Sequence, residues 1–148
     1  MAITRPDFPL PDLDDALIAP FFAAAAAGEL QIPYCERCAR FVWYPVAECP
    51  DCRGVPRWSA VSGRATLFSW AVVRRPFLPA FESMVPFVTA LVALDEDPSV
   101  RLCSYVVDTT DDALRADMPV EVVFRPLSFA TVPDREVAVP MFRPTAPR

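Results

Sequence analysis

The residues best equipped for chemistry lie in "YCERCARFVWYPVAECPDC", residues 34–52, where Cys35, Cys38, Cys49 and Cys52 form two C-x2-C pairs separated by ten residues. A C-x2-C turn presents two thiolates to one side of an ion, and two such knuckles joined by a hairpin complete a tetrahedral four-sulfur shell. One pair alone reads equally well as a redox dithiol. Two pairs at this spacing point to a metal, zinc first, with iron in the same cage as the minor alternative. "RFVWYPV" between the pairs is rich in strand formers, and Pro50 and Gly54 suit the tight turns that knuckles require. Four thiolates close the shell and leave no position for water or substrate, so the expected ion is structural.

The remaining inventory is poor for a catalyst. The 148 residues include no histidine, and all 14 basic residues are arginine. Ser-His-Asp and Cys-His nucleophilic sites are therefore excluded within this chain, as are histidine-containing zinc centres and lysine Schiff bases. The fifth cysteine, Cys103, sits within a strand-like run with no histidine to activate it, and reads as a buried structural thiol. The carboxylates of "DEDP" and "DTTDD" read as solvated loops, with no pair spaced for acid–base work. A net charge of −5 argues against a general nucleic-acid binder, which needs positive charge against phosphates. Trp43, Trp58 and Trp70 are accordingly expected in the core or between ribbon and barrel, rather than as base-stacking platforms.

These residues must be held by a mainly β framework. After a proline- and aspartate-rich arm, "PFFAAAAAGEL" predicts a short helix, with Pro20 in the first turn and Gly28 in the left-handed position past its end. Phe21 and Phe22 are too large to leave in solvent and should pack on a neighbouring element or a partner. "LQIPYC" alternates Leu30, Ile32 and Tyr34 and predicts a strand entering the first knuckle. Five further strand-like runs cover 63–75, 86–94, 100–107, 119–125 and 136–142, with 108–117 as a loop or one helical turn. Five strands match a small OB-type barrel; the count alone also permits an SH3-like barrel or half a sandwich. The longest apolar runs, 18–28 and 85–94, fall short of the roughly 20 residues of a membrane span. The first residues lack the pattern of a secretory signal. The expected setting is the cytoplasm, with surplus apolar surface covered by a protein partner.

The ordered set "FFAAAAAGELQIPYCERC", "YPVAECPDC", "WSAVSGRATLFSW", "VPFVTALVALDE", "MPVEVVF" and "VPMFRP" resembles the acyl-CoA-associated OB-fold family with an N-terminal rubredoxin-like zinc ribbon, long labelled a domain of unknown function. The resemblance implies an arm and short helix over 1–29, a zinc ribbon over 30–57, a five-stranded OB-fold barrel over 58–142 and a tail over 143–148. It further implies a non-catalytic partner of thiolase-like enzymes or acyl-CoA hydratases, working in a hetero-oligomer. Two positions depart from the pattern. Phe87 stands where relatives commonly have tyrosine, and Asp117 stands where they have glycine before the "MPVEV" strand.

The connection "RRPFLPAFESMVP" (74–86) is long and apolar, and OB folds commonly bind through the loop at this place. Phe77, Leu78, Phe81 and Met84 are candidates for contact with a partner or an acyl chain, and otherwise cover the barrel end. Arg74 and Arg75 are candidate phosphate donors to CoA, and otherwise a solvated strand edge. Two other roles remain open: a zinc-ribbon/OB nucleic-acid binder, and a stand-alone acyl-CoA or lipid carrier.

Overall fold

Alternating apolar residues build strands where the sequence places them. The computed structural model describes residues 2–3, 13–76, 82, 84–129 and 132–146. Its strands are β1 (Ala2–Ile3), β2 (Leu30–Cys35), β3 (Arg40–Phe41), β4 (Arg57–Val61), β5 (Arg64–Val73), β6 (Phe87–Leu94), β7 (Arg101–Val106), β8 (Pro119–Phe129) and β9 (Val132–Pro144). They are joined by helix α1 (Ala19–Ala26) and one 3-10 turn at Asp111–Ala113, inside the polar stretch expected to be a loop or a single turn.

The five barrel strands all form. β5, β6 and β7 make an antiparallel meander, with Trp70↔Ala90 and Ala90↔Ser104 in register. β7 then meets β9 in parallel at Val106↔Phe142, β9 pairs antiparallel with β8, and β8 returns to β5 at Ala65↔Val120. Closing the fourth barrel strand on the first, with one parallel pair between third and fifth, is the OB connection; it removes the SH3-like and half-sandwich alternatives. β8 and β9 extend beyond their apolar runs because they pair with each other from Val120↔Pro144 to Ser128↔Glu136. The C-terminal stretch stays on the barrel as far as Thr145, whose N–H donates to the Pro119 carbonyl at 3.0 Å.

The core is the barrel interior. Leu67, Val92, Leu94, Val120 and Phe142 are almost completely buried there, joined by Leu30 and Ile32 of β2. A second sheet, β3-β2-β4, thus shares its innermost side chains with the barrel. β2 and β4 are paired over five positions, from Leu30↔Val61 to Tyr34↔Arg57.

α1 ends as Gly28 suggests. With Gly28 at φ 78°, its N–H reaches the Ala25 carbonyl at 3.0 Å and the Glu29 N–H reaches the Ala24 carbonyl at 2.9 Å, the paired bonds of a Schellman cap. Ala24 and Ala25 are buried. Phe21 lies 5.7 Å from the Trp43 ring and 6.3 Å from Trp58, so one aromatic group joins helix, ribbon and barrel. Trp43 and Trp70 both pack on the core, as expected of them. Phe22 instead lines a shallow hollow against Val137 and Ala138 of β9.

One expectation about the strands changes. Cys103 is exposed, not buried: on β7 the inward positions belong to Leu102 and Val106, and period-two alternation turns Cys103 out. Asp117 does not disturb the turn before β8. It adopts φ 59°, the left-handed conformation glycine would take, and its N–H bonds the Leu67 carbonyl at 2.9 Å. Aspartate tolerates this region better than most residues but still bears a steric cost. Asp117→Gly is therefore expected to stabilise the fold by about 0.5–1 kcal/mol. A thermal melt should show a midpoint about 1–4 °C higher.

Candidate functional site

The four knuckle cysteines come together. Cys35, Cys38, Cys49 and Cys52 place their sulfurs within 4.8 Å of one another, with Cys35 and Cys49 buried. β2 delivers Cys35 at its end, β3 returns the chain, and Cys49 and Cys52 follow on the second turn. Cys35 and Cys52 Sγ are 3.4 Å apart, Cys38 and Cys49 Sγ 3.9 Å. These separations bracket the edge of about 3.8 Å that four sulfurs adopt about 2.3 Å from a central ion. All four are free thiols. The donor set therefore fits a metal ion held by sulfur alone.

The knuckles repeat one device. The residue after each second cysteine is left-handed, Ala39 at φ 50° and Arg53 at φ 59°. Backbone N–H groups of the second knuckle also turn towards sulfur. Those of Asp51 and Cys52 hold the Cys49 thiol down at about 7. The Cys38 thiol is pushed up to about 12, first by its hydrogen bond with Cys52 and then by burial. Gly54 has a different part from the one expected. It is not the left-handed residue of the turn; it lets the backbone approach the sulfurs. A Cβ there would lie 3.3 Å from Cys52 Sγ and 3.9 Å from Cys35 Sγ. Its N–H donates to Cys52 Sγ at 3.4 Å and its carbonyl accepts from the Cys49 N–H at 2.7 Å. An Arg40–Asp51 ion pair at 2.6 Å and an Arg37 bond to the Cys52 carbonyl at 3.1 Å tie the two knuckles together.

A second concave feature lies at one mouth of the barrel, a cavity of about 450 Å³. Strand ends of β5, β6 and β7 and the β8–β9 pair converge on it, so Val72, Val88, Val106, Leu127 and Met141 share its walls. Phe87 and Tyr105 meet edge to face there with ring centres 5.5 Å apart. Of the candidate contact residues, Arg74 and Met84 line this cavity. Arg75 is exposed and not part of its lining, and Phe77, Leu78 and Phe81 lie outside the described residues. Arg74 pairs with Asp111 in the 3-10 turn, while Arg125 of β8 pairs with Asp108 at 2.6 Å. Asp108 and Asp111 of "DTTDD" are thus rim struts rather than loose solvated charges, whereas Asp112 is exposed as expected. Glu96 of "DEDP" likewise accepts the Ser62 N–H at 2.6 Å; partial burial works to raise its carboxyl, but the Ser62 bonds hold it below its ordinary value.

The sequence offered no sign of Tyr105, Leu127 and Met141 as neighbours, because only barrel closure unites them. The signal that could have found them is their shared place near strand ends of one barrel mouth. Among the described residues, no helix is long and apolar enough to cross a membrane.

Residues 58–125 match the family model of the ChsH2 C-terminal OB-fold domain. Nearly the whole chain is similar to a solved structure described as "Ltp2-ChsH2(DUF35) aldolase", with 29% identity, 96% of this chain and 100% of that chain covered, and a TM-score of 0.75. A DUF35-family protein of unknown function from Sulfolobus solfataricus shares the fold at a TM-score of 0.60, over 91% of this chain and 90% of that one, with 11% identity.

Proposed function

We propose, for a chain that belongs to the DUF35 OB-fold family, the role of a non-catalytic subunit that binds a thiolase-superfamily enzyme and supports its action on acyl-CoA substrates. The observation that carries this reading is the end-to-end similarity to the Ltp2-ChsH2(DUF35) aldolase, 29% identical and covering 100% of that chain. The partner would be a thiolase, an acyltransferase or an aldolase of the steroid side-chain type, with an acyl-CoA hydratase subunit as the other candidate. The chain's own chemistry supports a passive role. It has no histidine or lysine, and its cysteine cluster offers four sulfurs to an ion and no open position.

Zinc is the ion best suited to this set of four thiolates, with iron as the alternative. The residues that would hold it are Cys35, Cys38, Cys49 and Cys52, and what the ion would supply is folding free energy for the ribbon. The ribbon also presents Tyr44, Val46 and Val55, exposed to 65%, 40% and 75%, an apolar dressing suited to an enzyme surface. Contacts from Arg75, Phe77, Leu78, Phe81 and Met84 to the enzyme or its acyl-CoA belong to the same proposal, while Arg74, already paired with Asp111, would meet the enzyme rather than a CoA phosphate. A nucleic-acid role is disfavoured: net charge is −5, and Trp43, Trp58 and Trp70 are half-buried against core and aromatic neighbours instead of forming an open stacking face.

Co-expression with thiolase-superfamily enzymes of the same cell tests the proposal. The chain and one of these enzymes should co-elute in size-exclusion chromatography at a constant ratio, and the isolated chain should turn over no acyl-CoA. Separate elution from all of them, with their turnover unchanged by the chain, would defeat it.

A further inference from the structure

The barrel-mouth cavity has a chemical character that the subunit role leaves unused. Its volume, about 450 Å³, falls within the range of small-molecule sites, and its walls are aliphatic, aromatic and thioether side chains. Three charged residues line it, Arg74, Asp108 and Asp111, and each is matched by an opposite charge. Arg74 pairs with Asp111, and Asp108 pairs with Arg125. Two arginines and two aspartates at the rim cancel. A phosphate entering there would have to separate an ion pair and then face the released carboxylate.

One polar group on the lining is unspent. Tyr105 is half-buried, lines the cavity, and has no hydrogen-bond partner for its hydroxyl among the described residues. Burial, aided by the nearby Cys103, pushes its hydroxyl above the ordinary value, so at neutral pH it is an uncharged donor.

We propose that the barrel mouth binds an uncharged, largely apolar small molecule carrying one hydrogen-bond acceptor, which the Tyr105 hydroxyl engages. The matched rim selects against anions, the apolar walls of Val72, Leu127 and Met141 supply the affinity, and Tyr105 sets the orientation. This site is separate from the cysteine cluster and does not depend on an enzyme partner.

Two naphthalene dyes of similar size, added to the full chain, test it. Prodan is neutral and carries a ketone; 8-anilinonaphthalene-1-sulfonate is an anion. Prodan should bind saturably at one site per chain, and the sulfonate at least about tenfold more weakly, because its charge would be buried unpaired. Tyr105→Phe should weaken prodan by about threefold to tenfold and shift its emission to the blue as the ketone loses its donor. Leu127→Phe fills the cavity from a strand and Met84→Trp from the loop; whichever keeps its circular dichroism should abolish prodan binding. No saturable prodan signal would overturn the proposal and leave the mouth as a surface for protein. So would equal affinity for the sulfonate, or prodan binding unchanged in both folded cavity-filling variants.

Discussion

Cys38→Ser is expected to release the metal and melt the tip of the ribbon while the barrel stays folded. The buried cluster around the sulfurs consists of Cys35, Val42 and Cys49, with Cys38 and Cys52 packed against it. Three small buried side chains cannot offset the ordering of some twenty residues at about 1–2 kcal/mol each, so an ion held by the four sulfurs would supply most of the local stability. A serine hydroxyl is a harder and poorer ligand than thiolate. The loss in metal affinity should exceed about 100-fold, the upper end of what outer-shell substitutions cost. Melting should stop where the ribbon enters the barrel core. Leu30 and Ile32 are 3% and 0% exposed there, and the β2–β4 ladder anchors the other side. Hydrogen exchange should therefore show lost protection over 36–56 and retained protection in β5–β9. A variant that has lost its metal but keeps full protection over 36–56 would show that the ion does not hold the ribbon.

Gly63→Ala should produce the largest loss of barrel stability from a single added methyl group. Gly63 turns the chain from β4 into β5 at φ 77°, where a Cβ is strained by about 1–2 kcal/mol. The added atom would also lie 2.3 Å from Val122 Cγ1 and 3.2 Å from Val122 Cβ. Val122 cannot withdraw easily, because its N–H bonds the Gly63 carbonyl at 2.8 Å and its residue is paired with Phe142 across β8 and β9. Overpacking of this kind adds about 1–3 kcal/mol, for a total of about 2–5 kcal/mol. The thermal midpoint should fall by roughly 5–20 °C. A midpoint within a degree of the parent would mean that the β4–β5 turn is not as close to β8 as the structure has it.

Much of this framework was legible because its signals are local. Two C-x2-C pairs identified all four candidate ligands, Gly28 marked the end of α1, and alternation located the five barrel strands. What escaped depends on parity, backbone conformation or closure. In "VRLCSYVV" both alternating faces carry apolar residues, Val100, Leu102 and Val106 on one and Cys103, Tyr105 and Val107 on the other, so nothing local tells whether Leu102 or Cys103 faces in; the barrel decides for Leu102. The left-handed knuckle residues are Ala39 and Arg53, which carry no glycine signature, and the glycine that does stand nearby serves sulfur packing instead. The rim pairs Arg74–Asp111 and Arg125–Asp108 join residues 37 and 17 positions apart. The β5–β6–β7 meander and the β7–β9–β8 pairing create those neighbours, and no spacing rule announces them.

On the proposed reading the cysteine cluster is a clip, and activity belongs to the enzyme that the chain would join. The most direct test is a titration: purified chain is added to a fixed amount of a thiolase-superfamily enzyme that co-elutes with it, and acyl-CoA turnover is followed. A non-catalytic subunit predicts that turnover rises and saturates at a fixed stoichiometry, with none from the chain alone. Turnover of acyl-CoA by the isolated chain, or an enzyme rate flat across the whole titration, would contradict it.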